Sequence, residues 1–175
     1  MTAPRTVTDL TVTDRTVALG LGSNLGNRLQ NLRSALSLLR RSLEITKTSD
    51  VFETAPWGPA DQPCFLNACL LAVSALGPEE LLALLKDVEA EMGRVETRRW
   101  GERVIDIDIL AMGELTYESD TLRVPHVDMH RRVFVLTPLA QILPDWVHPR
   151  IGRTVSEMES LCKTEREKTV RICPL

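Results

Sequence analysis

Aromatic side chains are scarce in this 175-residue chain: Phe, Trp and Tyr together make up 4% of it. A sheet that binds RNA by stacking bases on strand aromatics needs more of them, and a basic balance as well. The formal net charge is −3, so the surface as a whole is not built to hold a polyanion. No stretch approaches the roughly eighteen apolar residues of a membrane-spanning helix. The first residues, MTAPRTVTDLTVTDRTV, are polar and lack the apolar segment of a secretory signal. The expectation is a cytoplasmic protein with neither nucleic acid nor membrane as partner. There are four cysteines and no CxxC pair. Cys64 and Cys69 lie in an apolar run and are expected to act as small core residues rather than as zinc or disulfide partners.

What is present is an ordinary globular balance, 43% hydrophobic and 26% charged. Residues 1–15 read as a flexible arm and 16–175 as a single domain. An apolar strand over 17–21 runs into GLGSNLGNR. Leu29, Leu32, Leu36, Leu39 and Leu43 then recur at steps of three and four, the spacing of an amphipathic helix, with Asn27 as its cap. Residues 45–54 form a candidate strand, 55–63 a loop rich in Pro and Gly, and 65–73 a buried strand. Pro78, Glu79 and Glu80 open a second helix whose buried stripe is Leu81, Leu84, Leu85, Val88 and Met92, with Gly93 at its C-terminal cap. A strand over 104–112, a short hairpin over 114–123 and a helix over 129–143, interrupted at Pro138, follow. The tail after Thr154 reads as one modest helix and a loose end. The order βαββαβ, with two strands joined directly between the helices, predicts an α+β fold. It is a split βαβ, ferredoxin-like α/β sandwich with a mainly antiparallel sheet and helices packed on it.

The strongest chemical signal is Val104-Ile105-Asp106-Ile107-Asp108-Ile109. Side chains alternate along a strand, so Asp106 and Asp108 share one face and the isoleucines the other. Two solvated acids on a half-exposed strand would give this pattern. So would a pair holding Mg²⁺, which takes hard oxygen ligands from one or two carboxylates together with phosphates. The neighbours favour the second reading. Arg94, Arg98, Arg99 and Arg103 crowd the preceding segment, and Arg123, Arg131 and Arg132 form a second group. On spacing alone such clusters are either compositional or an anion site. Beside paired carboxylates they suit a nucleoside triphosphate, because guanidinium forks match phosphate oxygens and cations neutralise charge in phosphoryl transfer.

The glycines of GLGSNLGN are spaced GxGxxxG and are not followed by the parallel βαβ unit of a dinucleotide fold. They read as a tight strand-to-helix turn with backbone close to something. His126 and His130 are four apart, but Pro125 breaks the helix that would align them on a metal. A hydrogen bond from His126 to phosphate or ligand is the better use.

Four blocks occur in order: GSNLGNR at 22–28, ETAPWGPADQPCFLNA at 53–68, GRVETRRWGERVIDIDIL at 93–110 and VPHVDMHRRVFVLTPL at 124–139. Together they closely resemble the 6-hydroxymethyl-7,8-dihydropterin pyrophosphokinase family. The resemblance implies a ferredoxin-like fold and transfer of pyrophosphate from ATP to the pterin hydroxymethyl group, releasing AMP, in folate biosynthesis. It implies that Asp106 and Asp108 hold two Mg²⁺ ions and that Arg94, Arg103, Asp106 and Asp108 carry catalysis. ATP would meet Glu89, Arg94, Trp100, Arg103, Ile109, His126 and Arg132. The pterin would stack between Phe65 and Phe134, with Asn67, Thr54, Ala55, Trp57 and Trp100 around it. Glu96, Val127 and Lys86 depart from the family pattern at the nucleotide. A monomer is expected, with no room at either end for another catalytic domain.

Overall fold

The computed structural model describes residues 15–56, 62–94, 101–162 and 169–175. The arm expected over 1–15 lies outside them except for Arg15, which opens the first strand. Eight strands and four α-helices are formed by the described residues. In order they are β1 Arg15–Ser23, α1 Arg28–Leu39, β2 Glu44–Thr48, β3 Asp50–Thr54, β4 Phe65–Ser74 and α2 Pro78–Glu91. Then come β5 Asp106–Met112, β6 Tyr117–Glu118, β7 Arg123–Val124, α3 Val133–Ile142, α4 Val155–Leu161 and β8 Val170–Pro174.

The main sheet runs β5-β1-β4-β3-β8, with β2 also paired to β4, and all its pairings are antiparallel. This is the predicted ferredoxin-like order with two more strands, β8 and the extra one made by division of the strand expected over 45–54. Val17, Leu19 and Leu21 of β1 and Ile107 and Ile109 of β5 point to one face, where Leu32, Leu36 and Leu39 of α1 and Leu81, Leu85 and Val88 of α2 cover them. The opposite face carries Ala18, Cys69, Leu71 and Leu110 beneath Val135, Leu136 and Leu139 of α3 and Val155 and Met158 of α4. At roughly 25 cal/mol per Å² of apolar surface, these two layers supply the bulk of the driving force for folding. No helix among the described residues is long and apolar enough to cross a membrane.

Local signals hold at the helix ends. Asn27 accepts from the Gln30 N–H at 3.2 Å and starts α1. Gly93 follows α2 at φ 79°, a left-handed conformation that a Cβ disfavours. Five expectations are corrected. The strand expected over 45–54 is two, divided at Ser49, whose Oγ accepts from the Cys69 N–H at 2.8 Å so that β2 and β3 pair with successive parts of β4. Pro138 does not interrupt α3 but lies inside it, among Val135, Leu136, Thr137 and Leu139, all buried. Burial of this nearly all-apolar helix outweighs the missing N–H. The helix begins only at Val133, after a 3-10 turn at Met129–Arg131. The tail is not loose: β8 pairs with β3, and Arg171 Nε donates to Asp50 Oδ2 at 2.6 Å. Cys64 is exposed while Cys69 is buried, so only the second is a core residue, and both are free thiols.

Candidate active site

Cross-strand register explains the glycines and the aspartates together. Gly22 of β1 lies opposite Asp106 of β5 on one side and Asn67 of β4 on the other; Gly20 lies between Asp108 and Cys69. Residues opposite one another share a face. The GxG and DxD spacings therefore form two rows on the face away from α1 and α2. A Cβ on Gly22 would come within 3.1 Å of Asn67 Oδ1, so glycine lets the amide lie against the strand. These rows floor a cavity of about 360 Å³.

One half of the cavity is ionic. Lys86, Arg94, Arg103 and Arg132 line it together with Asp106 and Asp108, four cations against two carboxylates in a chain of net negative charge. Asp106 accepts from Arg94 Nη1 at 2.7 Å and from Arg103 Nη1 at 2.6 Å, one on each oxygen. Among the described residues Asp108 has no such clamp; burial and then neighbouring Asp106 push its carboxyl up to about 6. Arg132 donates to Asp128 at 3.2 Å, while its buried Nε has no hydrogen-bond partner among the described residues. His126 is pushed down to about 4, first by burial and then by Arg132, and is neutral at neutral pH. Its Nδ1 accepts from the Asp128 N–H at 3.2 Å, which leaves the proton on Nε2, available to an acceptor.

The other half is flat and apolar with a polar rim. Phe65 and Phe134 line it with Thr54, Ala55, Gln62 and Asn67. Asn67 Nδ2 donates to Thr54 Oγ1 at 2.8 Å, which fixes the amide orientation. Arg132 lies over the Phe134 ring at 5.8 Å, tying the aromatic half to the ionic half.

A second cavity of about 1230 Å³ joins the first at Lys86, Asp108 and His126. Leu82 of α2, Ile107 and Ile109 of β5 and the β6–β7 hairpin wall it. Paired acids, an anion-attracting rim, an aromatic slot and a larger adjoining cleft are what a two-substrate phosphoryl transferase needs.

The family model for 7,8-dihydro-6-hydroxymethylpterin-pyrophosphokinase (HPPK) matches residues 18–144. The 2-amino-4-hydroxy-6-hydroxymethyldihydropteridine pyrophosphokinase of Aquifex aeolicus is 42% identical over 144 residues, covering 82% of this chain and 90% of that protein. The chain belongs to the 7,8-dihydro-6-hydroxymethylpterin-pyrophosphokinase family. It is also similar to the mitochondrial folate synthesis bifunctional protein of Pisum sativum, 46% identical over 143 residues, which cover 81% of this chain. The chain spans only 28% of that bifunctional protein's length. A solved Plasmodium falciparum HPPK-DHPS has a TM-score of 0.74 and 16% identity, with 94% of this chain and 47% of that one covered, a likeness of fold alone.

In this HPPK-family chain the structure brings Arg94, Arg103, Asp106, Asp108, His126 and Arg132 into one cavity with Thr54, Ala55, Phe65, Asn67 and Phe134. Ile109 lines the second cavity. Trp57 and Trp100 lie outside the described residues. Glu89, expected at the nucleotide, lines neither cavity. It is buried and accepts from the Ile107 N–H and Lys86 Nζ, both at 2.7 Å, and from Arg94, so it holds side chains that do face the cavity. Reasoning from sequence missed Asn24 and Gln62. Buried Asn24 accepts from the Arg103 N–H at 2.8 Å, donates its own N–H to Arg103 O, and donates Nδ2 to Gln62 at 3.3 Å. Its signal was GSNLGNR: an amide just past the strand end, able to pair with a distant backbone.

Proposed function

We propose that this chain transfers a diphosphoryl group from ATP to the hydroxymethyl oxygen of 6-hydroxymethyl-7,8-dihydropterin, releasing AMP, as an Mg²⁺-dependent step of folate biosynthesis. One observation supports the reading: a single cavity joins a slot lined by Phe65 and Phe134 to a carboxylate pair ringed by cations.

The carboxylate pair fits a hard divalent cation. Asp108 is buried beside Asp106 and its carboxyl is pushed up, the condition of an acid pair that a cation would relieve. Asp106 and Asp108 would hold Mg²⁺, which when bound neutralises phosphate charge and orients the triphosphate. The chain's own residues do the rest. Phe65 and Phe134 present two apolar faces to the flat heterocycle, and Asn67, with its amide fixed by Thr54, reads its polar edge. The pterin hydroxyl oxygen forms a bond to the β-phosphorus as its proton passes to solvent; the bond from that phosphorus to the α–β bridging oxygen breaks, and AMP leaves. The transition state of such transfers is loose, so the main demands are alignment and charge balance. Arg94, Arg103 and Arg132 supply fixed positive charge, and neutral His126 offers its Nε2–H to a phosphate oxygen. Asn24 fixes the backbone that carries Arg103, so its guanidinium stays beside the phosphates.

The test is product analysis. With ATP, the pterin and Mg²⁺ the chain should form AMP and the pterin diphosphate, and a chelator should abolish both until Mg²⁺ is restored. Formation of ADP, or turnover without the pterin, would refute the reading.

A further inference from the structure

One wall of the second cavity cannot hold its own shape. β6 and β7 pair over only two residues each, and a two-stranded ribbon of that size is marginal in water. Yet residues 117–123 line that side of the cleft, opposite Leu82 and Lys86 of α2. Leu115, Tyr117 and Leu122 pack on the core, and Glu118 pairs with Arg123 and Arg150. These contacts fix the root and the outer side of the ribbon.

Its tip is fastened to the first turn of α2 by one carboxylate. Glu79 Oε1 accepts from Ser119 Oγ at 2.6 Å, Tyr117 Oη at 3.1 Å and Thr121 Oγ1 at 3.3 Å, and Oε2 lies 3.2 Å from Thr121 Oγ1. Each hydroxyl has one proton to give. Ser119 gives its proton at the shortest of these distances and accepts the Leu122 and Thr121 N–H groups at 3.1 and 3.3 Å. The same side chain thus closes the turn and fastens it to the helix. The chain leaves the ribbon through Val124 and Pro125 straight into His126, where the two cavities meet. Glu79 itself lines neither cavity.

We propose that Glu79 is a positioning residue for the nucleotide: it sets the spacing between α2 and the β6–β7 ribbon, the walls between which the nucleoside of ATP lies. This rests on the proposed ATP reading: with the triphosphate at the ionic half, the nucleoside lies in the second cavity, which adjoins that half at Lys86, Asp108 and His126 and is walled by Ile109. Glu79 touches no reacting atom. Its effect is on nucleotide affinity, through the wall it holds, and the pterin slot on the far side of Asp108 is untouched. An exposed polar contact contributes little to global stability, so a purely structural role would show in neither ligand.

The test compares wild type with Glu79→Ala, Glu79→Gln and Ser119→Ala. Calorimetry with a non-hydrolysable ATP analogue and, separately, with the pterin gives both affinities. Amide hydrogen exchange over 115–124 reports the ribbon, and steady-state kinetics give KM and kcat. Glu79→Ala should weaken the analogue about tenfold, the scale of one hydrogen bond to a charged group, with pterin affinity and saturated kcat kept within about twofold. Exchange over 115–124 should quicken. Glu79→Gln keeps an acceptor and should recover most of the loss, while Ser119→Ala should reproduce part of it. Unchanged analogue affinity in Glu79→Ala, or equal weakening of both ligands, overturns the proposal. If wild type binds no nucleotide, the ATP reading fails and the proposal falls with it.

Discussion

Phe134 lines only the first cavity, opposite the ionic residues, and lies 5.8 Å from the Arg132 guanidinium. A stacked ring contributes about 0.5–1.5 kcal/mol beyond its buried area, so Phe134→Ala should weaken pterin binding by about tenfold or more. ATP binding should change by less than about twofold; equal losses in calorimetry would mean that Phe134 does not stack on the pterin. His126 gives a pH effect whose sign is fixed. Its folded value, about 4, lies below the ordinary value of 6.5 because of burial and Arg132, against the opposing pull of Asp128 and Asp106. Between these values the unfolded chain binds more protons, so stability falls as pH drops from about 6.5 to 4, at up to roughly 1.4 kcal/mol per pH unit. Denaturant melts of wild type and His126→Gln should diverge in that window and keep a constant separation above it. A separation that stays constant through the window as well would mean that the His126 pKa does not change on folding. At this scale the sequence was most informative where residue type and spacing carry the chemistry, as in the DxD alternation. It was least so for Glu89 and Asn24, whose partners lie far along the chain and whose roles depend on burial.

Elements were legible where periodicity was long. α1, α2 and β4 follow their apolar patterns, and the hairpin expected over 114–123 forms. β8 was not legible, and its alternation would have misled. Val170 and Ile172 are 56% and 45% exposed, while Cys173 turns inward against the core. Its place is set by β3 and by an ion pair no local pattern announces. Hydrogen bonds from Arg171 and then Gln141 hold the Asp50 carboxyl below the ordinary carboxylate range. A depressed value stabilises the fold above the unfolded pKa of about 4, and that contribution is lost as pH falls through the folded value. Arg171→Ala should therefore lower amide protection over 170–173 at neutral pH and remove the further loss of protection that wild type shows in acid. Turnover should be unchanged, because β8 lines neither cavity. Exchange that matches wild type would mean that the strand is held by backbone pairing alone.

For the whole molecule, the sheet's two faces divide the work. One is buried under α1 and α2 and supplies the larger core. The other gives part of its area to α3 and α4 and leaves its end open as the cavity floor. The sequence showed this division because Ile105, Ile107 and Ile109 alternate with Asp106 and Asp108. It did not show the enclosure of the floor, which needs Asn24, Gln62 and α3 brought in from distant parts of the chain. Asp108 concentrates the central claim. A carboxyl whose folded value is raised costs stability at neutral pH, and a bound cation would offset that cost. The most direct measurement is Mg²⁺-dependent AMP formation by Asp106→Asn and Asp108→Asn, taken with the thermal melt of each ligand-free protein. Turnover in Asp108→Asn should fall by at least about a hundredfold, the scale of losing one electrostatic element of a transfer site. Its melt should hold or rise as repulsion from Asp106 is relieved. Near-normal turnover in both variants would contradict the account.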